Sequence, residues 1–259
     1  MTQSPYPALL RKNAISLLRC GITNADVAAE LGVPRGTVGY WKYLDRQSQP
    51  GRYPVARWAS CPICFGFELD AEPYSYLLGL YLGDGHIIHR PRQHTLSISC
   101  SDAWPGLVNA AEETMQFVMS SAKTGRLQRT GCTEVKSYSE HWLCLLPQHG
   151  PGKKHERPIV LEEWQEAVVE DHPEEFIRGL IHSDGCRVAN WTTRIVAGEK
   201  KRYEYPRYHF TNESVDIRNL FTNTLDALGI AWRYNNRNCI SVARRESVAK
   251  LDEFVGPKY

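Results

Sequence analysis

The chain has no run approaching the roughly 18 consecutive apolar residues that a membrane-spanning helix needs. Its N-terminus carries Pro5, Pro7, Arg11 and Lys12 where a secretory leader would have an unbroken apolar stretch and a small-residue cleavage site. Both absences predict a cytoplasmic protein with no membrane partner. Cysteine is too sparse for a disulfide scaffold. Eight are spread over 259 residues, with only Cys61 and Cys64 close together, so reduced thiols are expected. A dominant charge is missing as well: 31 Lys and Arg against 29 Asp and Glu leave a net +2, which alone identifies no polyanion partner.

A real core is affordable, because 42% of the residues are hydrophobic and the length suits one large domain or two smaller ones. Charge is unevenly distributed. Residues 1–60 hold eight basic and three acidic side chains, a local excess of five, while the remainder holds 23 basic and 26 acidic. Residues 1–46 read as a helical module. Leu9, Leu10, Ile15, Leu17 and Leu18 give one apolar helix face ending near Gly21. Thr23 or Asn24 can cap a second helix that buries Val27, Ala28 and Leu31 before Gly32. Pro34 suits the first turn of a third, running through Thr37, Val38, Tyr40 and Trp41. Helix, tight turn and helix form the arrangement that seats a recognition helix in the DNA major groove. Arg35, Thr37 and Lys42 are the residues this third helix would offer; a packing or dimerisation module is the alternative.

Residues 47–71, with Pro50, Gly51, Pro54, Pro62 and Gly66, read as a linker. Cys61-Pro62-Ile63-Cys64 inside it supplies half of a tetrahedral Zn²⁺ site. The other half would have to fold back from elsewhere, with Cys100, Cys132, Cys144, His86, His89 and His141 as the choices. Inert thiols are the alternative.

Residues 72–259 repeat one pattern in two halves, about 72–170 and 171–259. Each has a helix ending in Asp-Gly, a strand (Thr95–Cys100; Tyr208–Thr211) and a helix (103–119; 216–228). A further strand-like segment (134–146; 239–243) and a closing helix (161–169; 246–254) follow. The second half carries an insert near 196–205, rich in Lys and Arg, expected to be a long hairpin loop. The repeated helix end reads Leu78-Gly79-Leu80-Tyr81-Leu82-Gly83-Asp84-Gly85 and Arg178-Gly179-Leu180-Ile181-His182-Ser183-Asp184-Gly185, the two Asp standing 100 positions apart. Gly79 and Gly83, and Gly179 and Ser183, stand four apart and give each helix a nearly bare face. The two helices can therefore cross at very short distance. Each delivers a carboxylate at its C-terminal end, where the helix dipole opposes negative charge and the two repel each other. A divalent cation removes both penalties. Paired carboxylates are what Mg²⁺ takes, together with water and phosphate oxygens, and the chemistry that fits is metal-assisted phosphodiester hydrolysis. The Gly after each Asp is expected to adopt a left-handed cap.

The two segments, from Leu77 to Gly85 and from Ile177 to Gly185, resemble the signature of the LAGLIDADG homing endonuclease family. The resemblance extends over about residues 72–259, and the N-terminal module looks like an appended helix-turn-helix. It implies an α+β fold: a pseudo-symmetric duplicated αββαββα saddle of antiparallel sheets lying on double-stranded DNA. It also implies Mg²⁺ or Mn²⁺ at Asp84 and Asp184, with the backbone of Gly83 and Ser183 near the metals. Leu82 and His182 occupy an earlier position of the signature that is acidic in the family. A late lysine in each half is a family feature too. Lys136, Lys153 and Lys154 are the first-half candidates, with Lys154 favoured as catalytic; Arg244, Arg245 and Lys258 are those of the second half. Arg194, Arg207, Arg233, Arg237 and Arg244 are expected on the DNA surface, with Lys200, Lys201 and Arg202 nearby. Both motifs in one chain imply a monomer. The expected function is site-specific double-strand DNA cleavage; a non-cleaving DNA-binding transcriptional regulator on the same scaffold is the alternative.

Overall fold

The computed structural model describes residues 6–20, 22–48, 61–65, 69–90 and 93–258. Gly21 lies outside them, as do residues 49–60 and 66–68 of the expected linker, with Pro50, Gly51, Pro54 and Gly66. The chain divides after Ser60 into two compact units.

In the first unit α1 (Ala8–Arg19), α2 (Asn24–Leu31) and α3 (Arg35–Ser48) bury Ala14, Leu18, Val27, Val38 and Trp41 against one another. The Thr23 side chain caps α2 by accepting from the Asp26 amide at 3.2 Å. Gly32, at φ +63°, turns the chain towards α3. Arg19 and Asp45 join α1 to α3 through two hydrogen bonds of 2.9 and 2.6 Å. Leu9, expected on the apolar face of α1, is 69% exposed, because Ala14 and Leu18 set the buried face; on α3 Val38 and Trp41 are buried and Tyr40 is exposed. Helix α3 runs on to Ser48.

The second unit opens with the single turn α4 (Pro62–Phe65), which contains Cys64 and is directly preceded by Cys61. Then come α5 (Ala71–Asp84), β1 (Gly85–Ile88), β2 (His94–Ser101), α6 (Pro105–Val118), β3 (Lys123–Arg129), β4 (Cys132–Ser139) and α7 (Trp142–Leu145). A 3-10 turn at Lys154–Glu156 and α8 (Glu163–Asp171) lead into the second half. That half comprises α9 (Pro173–Asp184), β5 (Gly185–Val196), β6 (Glu199–Thr211), α10 (Val215–Ala227), β7 (Arg233–Asn236), β8 (Cys239–Val242) and α11 (Arg245–Phe254). Each half is thus αββαββα. The sheets are antiparallel with matching orders, β1-β2-β4-β3 and β5-β6-β8-β7, and the fold is α+β.

Strand alternation gives each sheet one buried face. Leu96, Ile98 and Val135 in the first and Phe210, Ile240 and Val242 in the second join one continuous core with α5 and α9. Helix α5 is buried from Tyr74 to Leu82, so it behaves as a central core helix rather than a surface one.

Three expectations change. Trp142–Leu145 forms a helical turn instead of extending a strand, which buries Trp142 and Leu145 on one side. The basic insert is not a loop: β5 and β6 stay paired from Gly185↔Phe210 out to Val196↔Glu199. They turn through Ala197 and Gly198, at φ +53° and +83°, the two-residue turn that suits strand twist. Gly85 and Gly185 are extended, at φ −86° and −103°, so neither is a left-handed cap. Glycine is needed there because a Cβ would stand 2.5 Å from the Tyr81 Cα or 2.7 Å from the Ile181 Cα.

Candidate active site

The bare faces of α5 and α9 meet. A Cβ on Gly79 would lie 2.6 Å from the Phe176 carbonyl oxygen, and one on Gly179 would lie 2.3 Å from that of Tyr76. At the C-terminal ends Gly83 faces Ser183, and a Cβ on Gly83 would stand 2.1 Å from Ser183 Oγ and 3.2 Å from Asp184 Oδ2. Ser183 turns its hydroxyl back to the carbonyls of Gly179 and Leu180, at 3.1 and 3.0 Å.

Asp84 and Asp184 are thereby brought to one place. Burial and then the Asp184 charge push the Asp84 pKa up to about 6, against the pull of Lys154 and Lys258. The Asp84 residue is nevertheless exposed, so water screens part of both the burial cost and the repulsion. Asp184 is also raised by burial, while Asn212 and the same two lysines favour its charged form. Asn212 Nδ2 donates to Asp184 Oδ2 at 2.6 Å. Among the described residues none donates a hydrogen bond to the Asp84 carboxylate.

Two lysines close the site. Lys154 Nζ donates to the carbonyls of Tyr81, Leu82 and Gly83, and Lys258 Nζ to those of Ser183 and Gly185. Lys154 lies 71 residues after Gly83 and Lys258 75 residues after Ser183. Each ammonium therefore covers carbonyls at the negative end of its own half's helix. Burial lowers both pKa values, Lys154 to about 8, while the carboxylates oppose the shift. The Coulomb pull on Lys154 comes first from Asp184, and that on Lys258 first from Asp84. A cleft of about 460 Å³ opens beside Gly83, Lys154, Asp184 and Asn212.

His182 anchors the segment that precedes Lys258. Its Nε2 bonds the Val255 carbonyl at 2.9 Å and its Nδ1 meets the Tyr76 hydroxyl at 2.8 Å, which fixes the tail that carries Lys258. Burial lowers its pKa to about 4, so it is neutral at ordinary pH. The other lysine candidates lie elsewhere: Lys136 pairs with Glu134 at 2.8 Å, Lys153 is largely exposed, and Arg244 and Arg245 open α11.

Strand register sorts the basic residues. Arg233 lies opposite Ser241, and Ser241 opposite His209. Arg207 is two positions from His209, and Arg194 is opposite Lys201. Arg194, Lys201, Arg207 and Arg233 therefore share one sheet face, and the core takes the other. Only Tyr208–Thr211 of β6 pairs with β8. The rest of the hairpin projects as a two-stranded arm about 25 Å long at ~3.3 Å per residue, with Trp191 and Tyr203 exposed on it. Arg237 sits in the β7–β8 turn, paired with Glu213 at 3.2 Å, and Arg244 caps α11; neither is on that face. Lys123 and Arg129, which pattern reading passed over, share the open face of the first sheet with Lys136 and His86. In the N-terminal unit Arg35 is exposed, and Thr37 and Lys42 are half-buried.

The donors at the helix ends suit a hard divalent cation. They are all oxygen, namely two carboxylates with raised pKa values and the helix-end carbonyls, which already attract ammonium groups. Among the described residues no helix is long and apolar enough to cross a membrane.

No protein-family model matches the chain, and no curated protein matches it. Among solved structures it is similar to the LAGLIDADG meganuclease I-AabMI bound to uncleaved DNA, at 14% identity over 70% of this chain and 82% of the other, TM-score 0.46. It is also similar to I-DmoI in complex with DNA and Mn, at 12% identity over 73% and 99%, TM-score 0.49. A third similar structure is the N-terminal LAGLIDADG domain of DUF199/WhiA, at 14% identity over 77% and 88%, TM-score 0.44.

Proposed function

We propose that this chain is a single-chain LAGLIDADG-type endonuclease that cuts both strands of a specific DNA site with Mg²⁺ or Mn²⁺. The observation that carries the reading is the convergence, on one helix crossing, of Asp84 with Asp184 and of Lys154 with Lys258. Two carboxylates and two lysines give each strand its own set of groups, as double-strand cleavage by one chain requires.

Asp84 and Asp184 are the residues that would hold the metal, with the carbonyls of Gly83 and Ser183 next to them. Bound there, the metal would activate water and offset charge on the leaving oxygen. The chain supplies the rest. Asn212 orients Asp184. Lys154, with a pKa near 8, can exchange one of its three bonds to helix-end carbonyls for a scissile phosphate, hold or release a proton beside it and stabilise its developing charge. Lys258 stands in the matching place. The Arg face of the second sheet and its arm, the open face of the first sheet, and Arg35, Thr37 and Lys42 of α3 supply the phosphate and base contacts.

The reading is tested by incubating the full chain with a randomised duplex library in Mg²⁺ and sequencing new ends. Paired cuts at one recurrent site support it. Retention of specific duplexes without any metal-dependent ends would establish the non-cleaving regulator instead. Once a site is known, Lys154→Met and Lys258→Met should each slow one strand's cut on the order of 10²-fold, so that plasmid accumulates as nicked circle rather than linear DNA. Equal slowing of both strands by each variant would contradict the assignment of one lysine to each strand.

A further inference from the structure

We infer that Cys61, Cys64, His141 and Cys144 form a closed structural Zn²⁺ site, separate from the carboxylate pair. Two sequence-distant pairs with the same spacing converge: Cys61 and Cys64 at α4, and His141 and Cys144 on the turn of α7. Their four ligand atoms all lie within 4.8 Å of one another. Tetrahedral zinc with sulfur at ~2.3 Å and nitrogen at ~2.0 Å places its ligands about 3.5–3.8 Å apart. Cys64 Sγ lies 3.3 Å from Cys144 Sγ, and Cys144 Sγ lies 3.8 Å from His141 Nδ1. The sulfur pair is far beyond the ~2.05 Å of a disulfide, and both cysteines are free.

The surroundings fit a thiolate-rich site. The Cys64 amide donates to Cys61 Sγ at 3.5 Å, and a peptide N–H aimed at sulfur stabilises its negative form. On α7 the buried Trp142 and Leu145 face the core, which leaves His141 and Cys144 on the side towards α4. Three sulfurs and one nitrogen are a soft set that selects zinc over the Mg²⁺ expected of the carboxylates. With four protein ligands there is no open position for substrate, so the role is to brace. Zinc would fasten the chain just before α5 to α7, from which it runs on to Lys154.

The test uses the full chain purified under reducing conditions and does not depend on DNA cutting. Elemental analysis should find about one zinc per chain, and Co²⁺ in its place should give the thiolate charge-transfer and tetrahedral d–d bands. Cys64→Ser and Cys144→Ser should lose both signals. His141→Cys, which keeps a four-ligand set should the serine variants fold poorly, should retain zinc, as should Asp84→Asn. Zinc below about a tenth per chain after reconstitution, a silent Co²⁺ spectrum, or a Cys64 to Cys144 disulfide in the mass map would overturn the assignment.

Discussion

Asp84→Asn and Asp184→Asn should each be at least as stable as the parent chain without metal, yet lose divalent-dependent cutting by about 10³-fold or more. The two effects have one cause. Each carboxylate sits at a helix C-terminus, where the backbone dipole already opposes it. Burial and the Asp184 charge then raise Asp84 to about 6. A folded pKa above the ordinary 3.8 means that folding favours the protonated group. The contribution to stability is full below about pH 4 and is lost as pH rises to about 6. At pH 7 or 8 the ionised pair is therefore a standing penalty, which an amide removes and a divalent cation offsets. Melting temperature in the presence and absence of Mg²⁺ checks this: the parent should gain more at pH 8 than at pH 5, where protons compete, and the Asn variants should gain little at either. A parent indifferent to Mg²⁺ and Mn²⁺ at both pH values would remove the metal site.

The helix ends were legible because their requirement is local. Small residues four apart, followed by Asp-Gly and repeated after 100 residues, encode a crossing and a carboxylate pair without reference to the rest of the chain. The lysines were legible only as a shortlist. Lys154 and Lys258 reach their helix ends from 71 and 75 residues away, a distance set by loops with no pattern of their own. His141 and Cys144 likewise stand in the sequence only as two of six candidates to complete the Cys61 and Cys64 pair, because nothing in the pattern separates their helical turn from the end of a strand. Strands β3 and β7 escaped for another reason. Both are edge strands, and Lys-Thr-Gly-Arg-Leu-Gln-Arg and Arg-Tyr-Asn-Asn bury no residue fully, so the alternation that announces a strand is absent. The hairpin arm was masked likewise: exposed on both faces, it is held by its register and its Ala197-Gly198 turn rather than by an apolar side.

Gly179→Val should be the most damaging single substitution in the helix pair, costing on the order of 4 kcal/mol or preventing folding of the second unit. A Cβ there would lie 2.3 Å from the Tyr76 carbonyl oxygen and 3.0 Å from both the Gly79 Cα and the Leu80 amide nitrogen. All three are backbone atoms of α5, so no rotamer change relieves the clash. Nor can α5 withdraw, because it is buried from Tyr74 to Leu82 and close-packed cores transmit displacement instead of absorbing it. Valine adds two methyl groups to that first carbon, which forces the helices apart and opens voids on either side of the crossing. Gly125→Ala is the control: an added Cβ there meets nothing within 4 Å, and the change should stay within about 0.5 kcal/mol. At roughly 2–4 °C per kcal/mol for a unit of this size, Gly179→Val should melt about 8–16 °C below the parent or fail to accumulate as folded protein. A melting temperature within about 2 °C of the parent's would mean that α5 and α9 do not touch through these glycines. The common position of Asp84 and Asp184, which that contact creates, would then fall with it.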